Sequence, residues 1–240
     1  MYVSFATIPS RFQNIKPTIL SWLNQTEKIN KIIISIPEKI KNNKSYDIKE
    51  LKDQIKEFGN KVVLQILPED LGPITKIIGA LFYEYNSNSS NNYIICDDNL
   101  IYDKNLVKKY KDNMKIYPNS ILSFFGDEHR ILKNDMLHVQ GADTYLLQSI
   151  FFKKENLLSF IEYVKNFQNQ FKDAFYLDDY VVSFRFYILG FDVKSCKKDS
   201  DIIYVINEKN QIDELQDDPE NFIRENNIKS FLKNILESII

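Results

Sequence analysis

Glycine is scarce in this 240-residue chain, with six residues at positions 59, 72, 79, 126, 141 and 190, and none falls into a G-x-G-x-x-G or G-x-x-x-x-G-K-[ST] pattern. Those loops need closely spaced glycines so that backbone N–H groups can approach a phosphate, so dinucleotide-fingerprint and P-loop chemistry are disfavoured. Histidine is scarcer still. His129 and His138 are the only two, a poor supply for a histidine zinc site or a Ser-His-Asp triad. Cys96 and Cys196 are the only cysteines, too few for a disulfide framework or a thiolate metal site, and they point to a reducing compartment.

Charge imbalance is also missing. With 31 basic and 33 acidic side chains the formal charge is -2, so no whole-molecule field recruits nucleic acid or an anionic membrane. No apolar run reaches the roughly 18 residues that a bilayer span requires. The start, Met1-Tyr-Val-Ser-Phe-Ala, lacks the basic and long apolar regions of a signal peptide. A soluble cytoplasmic protein is expected, with no nucleic-acid partner and no transmembrane segment. Asn24, Asn43 and Asn88 each begin an Asn-x-Ser/Thr pattern, but in a chain this rich in asparagine they carry no weight.

What the chain does have is core-forming material: 44% hydrophobic and 13% aromatic residues, including 17 Phe and 14 Tyr, enough for one compact domain. Tyr2 to Ala6, Lys31 to Ile36, Val62 to Leu67, Tyr93 to Cys96 and Ser120 to Phe125 read as strands rich in branched and aromatic residues. Helical patterns fill the gaps at Pro17 to Leu23, Ile48 to Phe58, Ile74 to Tyr85 and Leu106 to Met114. Alternating strands and helices predict an α/β fold, with a mostly parallel central sheet flanked by helices.

The pattern then becomes irregular over Leu137 to Phe152. Helices follow at Glu155 to Phe167 and Asp178 to Leu189, then a short strand at Asp192 to Ser195. The main domain is expected over residues 1–205. Residues 206–240 read as an acidic linker and a C-terminal amphipathic helix, with Ile228, Phe231, Leu232, Ile235 and Ile239 at helical spacing. That stripe packs back onto the domain or serves as a docking face, for self-association among other things.

An open α/β sheet binds its ligand beyond the carboxyl ends of its strands, which puts Ala6-Thr7, Pro68-Glu69-Asp70 and Asp97-Asp98-Asn99 on one rim. Carboxylates and an amide suit hard divalent cations such as magnesium or manganese, which take one or two carboxylates and complete their shell with phosphate and water. Asp and Asn are equally the residues of ordinary turns after strands. Asp178-Asp179 opens a helix, where one Asp can cap and the other can favour the dipole, or one can act as a general base. Lys76 lies one turn into the helix after Pro68 to Pro73 and can reach an anion at that helix N-terminus.

Five segments together carry a resemblance: Ala6-Thr7-Ile8-Pro9-Ser10-Arg11, Glu69 to Lys76, Ile95 to Tyr102, Gln140-Gly141-Ala142-Asp143 and Leu177 to Ser183. In their order and spacing they resemble a GT-A-fold glycosyltransferase. More narrowly, they resemble a small glycosyltransferase family of bacteria and large DNA viruses, marked by T-I-P-S-R, E-D-x-G-P-x-T-K, D-D-D-x-x-Y and a late acidic pair. The resemblance covers roughly residues 2 to 195.

The resemblance implies transfer of a sugar from a nucleoside-diphosphate sugar, UDP-sugar favoured, to an acceptor hydroxyl on a glycan or glycoconjugate. It implies that Thr7, Arg11, Asp70 and Lys76 bind the nucleotide sugar together with Asp97 and Asp98, while Gly141 and Asp143 floor the donor-sugar and acceptor pocket. Asp179 would be the catalytic base and Asp178 would orient a sugar hydroxyl. Asp97, Asp98 and Asn99 match the metal-binding D-x-D region, with manganese or magnesium as the implied cofactor. Asn99 replaces the third Asp, and a neutral amide holds a divalent ion less strongly than a carboxylate does. That departure leaves a second reading, a catalytically weak or inactive sugar-nucleotide or glycan binder. A phosphohydrolase of the haloacid-dehalogenase kind is a third, and Asn99 occupies the place of its required second Asp. If the chain is viral, the host cytoplasm or the virion is where it would be found.

Overall fold

The computed structural model describes residues 1–40, 46–87, 90–124, 139–141, 143–196, 203–206 and 220–239. His129, His138, Gly126, Ala142 and the acidic stretch 207–219 lie outside them, as do Phe125 and residues 41–45. The first three strands, β1 (Tyr2–Ala6), β2 (Ile32–Pro37) and β3 (Val62–Leu67), are followed by β4 (Tyr93–Ile95) and β5 (Leu100–Tyr102). Four more follow: β6 (Ile121–Ser123), β7 (Tyr145–Leu147), β8 (Val193–Ser195) and β9 (Tyr204–Ile206). Helices α1 (Lys16–Leu23), α2 (Lys49–Ile55), α3 (Thr75–Ser87) and α4 (Leu106–Ile116) sit where the sequence pattern predicts them. So do α6 (Leu157–Gln170), α7 (Asp178–Ile188) and α8 (Asn221–Ile239), whereas α5 (Ser149–Lys154) falls in the segment read as irregular.

The expected α/β architecture is present, with a seven-stranded sheet in the order β3-β2-β1-β4-β7-β6-β8. β1 pairs in parallel with β2 and β4, β2 with β3, and β6 with β8; β7 runs antiparallel to both β4 and β6. A separate two-stranded ribbon pairs β5 with β9, Leu100 opposite Ile206 and Tyr102 opposite Tyr204. Neither β7 nor this ribbon was expected.

Period-2 alternation explains why the sheet is covered on both faces. All of β2 is buried: Ile32, Ile34 and Ile36 join Val3, Phe5, Trp22, Leu106 and Tyr110 on one side, while Ile33 joins Ile77, Tyr145, Phe151, Phe160 and Phe186 on the other. The second core also receives the C-terminal helix. Ile228 and Leu232 are fully buried, and Phe231 stacks on Phe171. Arg224 lies over the Tyr176 ring. Among the described residues no helix is long and apolar enough to cross a membrane.

Close backbone approach fixes α3 on the sheet. Gly79 faces Ser35 of β2 so tightly that a Cβ there would collide with the serine side chain. One turn earlier, the Ser4 hydroxyl of β1 donates to the Lys76 carbonyl at 2.6 Å. These two contacts set the position of the first turn of α3, and with it the Lys76 side chain.

Candidate active site

Three strand ends and two helix starts meet at a cleft of about 510 Å³. Its lining includes Thr7 and Arg11 after β1, Asp70 after β3, Asp97 to Asn99 after β4, Lys76 of α3, and Asp178 and Asp179 of α7. Nine sequence-predicted residues are therefore brought to one rim.

Each arrives for a local reason. After β1 the chain enters a 3-10 turn, Pro9–Asn14, in which Phe12 is buried and so anchors the turn while its neighbour Arg11 points to the cleft. Arg11 Nη1 donates to Asp98 Oδ1 at 2.7 Å, with the two side chains only 13% and 4% exposed. After β3 the Asp70 carboxylate accepts the Gly72 N–H at 3.0 Å. Gly72 has φ +78°, and a Cβ there would strike the Phe175 carbonyl, so only glycine suits this turn into α3. Beyond β4, the Asp97 N–H donates to the Tyr102 hydroxyl at 3.0 Å. Thr18 of α1 donates to the carbonyls of Asp98 and Leu100. The two carboxylates thus sit on a turn held from both sides.

At the centre stands the Lys76 ammonium, 4% exposed, 2.9 Å from Asp97 Oδ1, 3.0 Å from Asp178 Oδ2 and 3.8 Å from Asp179 Oδ1. Burial disfavours its charge, but the carboxylates of Asp178, Asp97 and Asp179 together outweigh that and push its pKa well up. Burial raises the pKa of Asp178, against the pull of Lys76. Asp179 is raised well above the usual carboxylate range, by burial first and then by the charge of Asp178. The Asp179 side chain is 26% exposed, and one of its oxygens accepts the Gly141 N–H at 3.2 Å. Asp98 is also raised by burial, with Arg11 and Thr7 opposing. Both thiols are buried, Cys96 well above its ordinary pKa and Cys196 pushed up to about 12, so neither is a nucleophile.

Gly141 belongs to this cluster by contact, since a Cβ on it would run into the Lys76 ammonium and the Asp97 carboxylate. Asp143 does not line the cleft; its charge is felt instead by Tyr110 and Tyr204. Sequence reasoning missed the aromatic wall, namely Tyr46, Phe175, Tyr176, Tyr180 and Tyr204, together with Glu225 from α8. Tyr176 precedes and Tyr180 lies within the Leu177 to Ser183 segment already singled out, so proximity could have suggested them. Tyr204 and Glu225 come from elements whose docking no local pattern encodes.

A resident divalent ion does not fit these residues. Asp97, Asp178 and Asp179 already surround an ammonium, and Asp98 is held by a guanidinium. Among the described residues no group of three or more His, Cys, Asp or Glu side chains is placed to hold a metal ion. The ion position expected from Asp97, Asp98 and Asn99 is answered here by Lys76 and Arg11.

No family model matches the sequence, and no curated protein matches it significantly. Solved structures with a similar course of chain include S. aureus TarS 1–349 in complex with UDP, at 12% identity and a TM-score of 0.49. That match covers 85% of this chain and 59% of TarS 1–349, so this chain spans less than two thirds of that structure. Francisella tularensis 2-C-methyl-D-erythritol 4-phosphate cytidylyltransferase is similar at 13% identity and a TM-score of 0.46, covering 93% of this chain and 97% of its own. Mouse xyloside xylosyltransferase 1, in its apo form, gives 12% identity and a TM-score of 0.42, with 81% and 83% covered. With identities and scores this low, the reading of function rests on the site.

Proposed function

We propose that the protein is a glycosyltransferase that moves a sugar from a nucleoside-diphosphate sugar, a UDP-sugar being favoured, to an acceptor hydroxyl on a glycan. The observation that carries this reading is the convergence of Arg11, Lys76, Asp178 and Asp179 in one cleft at the carboxyl rim of the sheet. Two cations, Arg11 and Lys76, line the same space, and such side chains form charge-assisted hydrogen bonds to phosphate oxygens. The nucleobase and ribose occupy the end formed by Thr7, Pro37, Tyr46 and Asp70, the diphosphate lies by Arg11 and Lys76, and the sugar extends toward Asp178 and Asp179.

The chemistry follows from the charges. As the bond from the anomeric carbon to the diphosphate breaks, positive charge grows on the sugar and negative charge on the leaving oxygen. The preorganised Lys76 ammonium stabilises that oxygen, an effect typically worth several kcal/mol in a site shielded from water. Asp179, open to the cleft on one side, accepts the proton of the attacking hydroxyl, and the burial that raises its pKa makes its ionised form a stronger proton acceptor. Asp178 holds Lys76 in place and orients a sugar hydroxyl. This assignment makes the reaction inverting.

A melting-temperature panel of nucleoside diphosphates and nucleotide sugars, run in chelator and again in manganese, tests the reading. A ligand of the native state raises stability in proportion to its concentration over its Kd. UDP and at least one UDP-sugar are expected to raise the melting temperature in chelator. If no nucleotide shifts it in either medium, donor binding is refuted.

A further inference from the structure

The Lys76 ammonium occupies the place in the cleft where three carboxylates from two distant parts of the chain come together among the described residues. Asp97 arrives on the turn after β4, and Asp178 and Asp179 arrive on the first turn of α7. Lys76 is nine-tenths buried, and the Gly141 backbone closes over it without room for a Cβ. Beside the cluster lies a further oxygen. The Tyr145 hydroxyl is fully buried, has no hydrogen-bond partner among the described residues, and feels the charges of Lys76, Asp179, Asp178 and Asp97.

We infer that Lys76 is a built-in cation standing in a latent divalent-metal site, and that removing its ammonium converts Asp97, Asp178 and Asp179 into ligands for one divalent ion. Oxygen ligands bind magnesium at about 2.0–2.1 Å and calcium at about 2.3–2.6 Å, so the carboxylates must close in by roughly 1 to 2 Å. Side chains on a turn and on a first helical turn can make that movement. With Lys76 present, an ion at the same point would sit against an ammonium, and repulsion excludes it. The inference concerns ion occupancy alone and stands apart from the donor reading.

The test is a manganese titration of the full chain after chelator treatment, with no nucleotide present. Loss of the free-ion electron paramagnetic resonance signal and the rise in melting temperature are both read. Wild type and Lys76→Arg are expected to show no Asp178-dependent site. Lys76→Ala is expected to take one manganese at least tenfold more tightly than wild type and to melt higher in its presence, both effects disappearing in Lys76→Ala/Asp178→Asn. Lys76→Gln, which keeps a polar donor near the carboxylates, is run beside Lys76→Ala in case the smaller side chain compromises folding. The inference is overturned if wild type binds one manganese within threefold of Lys76→Ala and loses it on Asp178→Asn. It is overturned equally if manganese neither binds nor raises the melting temperature of Lys76→Ala or Lys76→Gln.

Discussion

Gly141 lies directly against the Lys76 ammonium, close enough that the smallest side chain would occupy the space of the Lys76–Asp97 ion pair. The same residue donates its N–H to Asp179, so one stretch of backbone locates the cation and orients the proposed base. Gly141→Ala must therefore move Lys76, Asp97 or its own loop. The expected result is a loss of about 1–3 kcal/mol of stability, the usual cost of overpacking, and a drop of at least tenfold in affinity for a nucleoside diphosphate. Denaturant unfolding and a UDP titration measure the two effects. An unchanged affinity would mean that Gly141 plays no part in placing the cation.

Asp179 should trade stability for activity. Its pKa is raised in the folded protein, so folding favours its protonated form. That contribution is fully present below the unfolded carboxylate pKa of about 4 and is lost as pH rises through the folded value. An Asn at this position never ionises. Asp179→Asn should thus match wild type in melting temperature near pH 4 and exceed it at pH 8, on the order of 1 kcal/mol or roughly 2–4 °C for a chain of this size. Sugar transfer should fall roughly a hundredfold or more when the proton acceptor is lost. Melting curves across pH, together with a transfer assay, decide it.

How much of this was legible beforehand follows from where the signals lie. β2 announces itself because Ile32 to Ile36 is an almost continuous branched run, which a strand buried on both faces needs; β1 and β3 are legible as short apolar and aromatic segments bounded by turn residues. The rim was legible for the same reason, since parallel strands put Thr7, Asp70 and Asp97 at the same edge. The three-residue strands β5 and β9 were not, because their pairing depends on Tyr204 meeting Tyr102 from a distant part of the chain and neither segment alternates long enough to declare itself. β7 was hidden by its reversed direction within an irregular segment. The site was read as a metal centre because Asp97-Asp98-Asn99 is contiguous in sequence. That Lys76 sits among Asp97, Asp178 and Asp179 depends on how α3 docks on β1 and β2, through Ser4 and Gly79, and no local pattern records that.

Gly79 itself supports a prediction about α3. Its helical position would favour alanine on propensity by about 1 kcal/mol, yet a Cβ there collides with Ser35. Gly79→Ala alone should destabilise by about 1–3 kcal/mol. Adding Ser35→Gly removes the obstructing side chain and should recover a large part of that loss. A thermal or denaturant double-mutant cycle reads the coupling. Purely additive losses would show that the contact between α3 and β2 does not limit this position.

Arg11 and Asp98 form a buried ion pair at the proposed nucleotide end of the cleft, and their separation should be costly in only one direction. Removing the guanidinium by Arg11→Ala leaves a carboxylate that is 4% exposed without its main counter-charge, which typically costs about 3–5 kcal/mol. Asp98 can relieve the loss by taking a proton, so the cost should shrink as pH falls toward 4 and be largest at pH 7 and above. Arg11→Ala/Asp98→Asn replaces the stranded charge by a neutral amide and should regain much of the stability at pH 7 while gaining little at pH 4. Nucleotide affinity should stay low in both variants, because the cation proposed to lie beside the diphosphate is gone from each. Unfolding free energies at the two pH values separate this outcome from a merely exposed surface pair, whose loss would cost under about 1 kcal/mol at either pH.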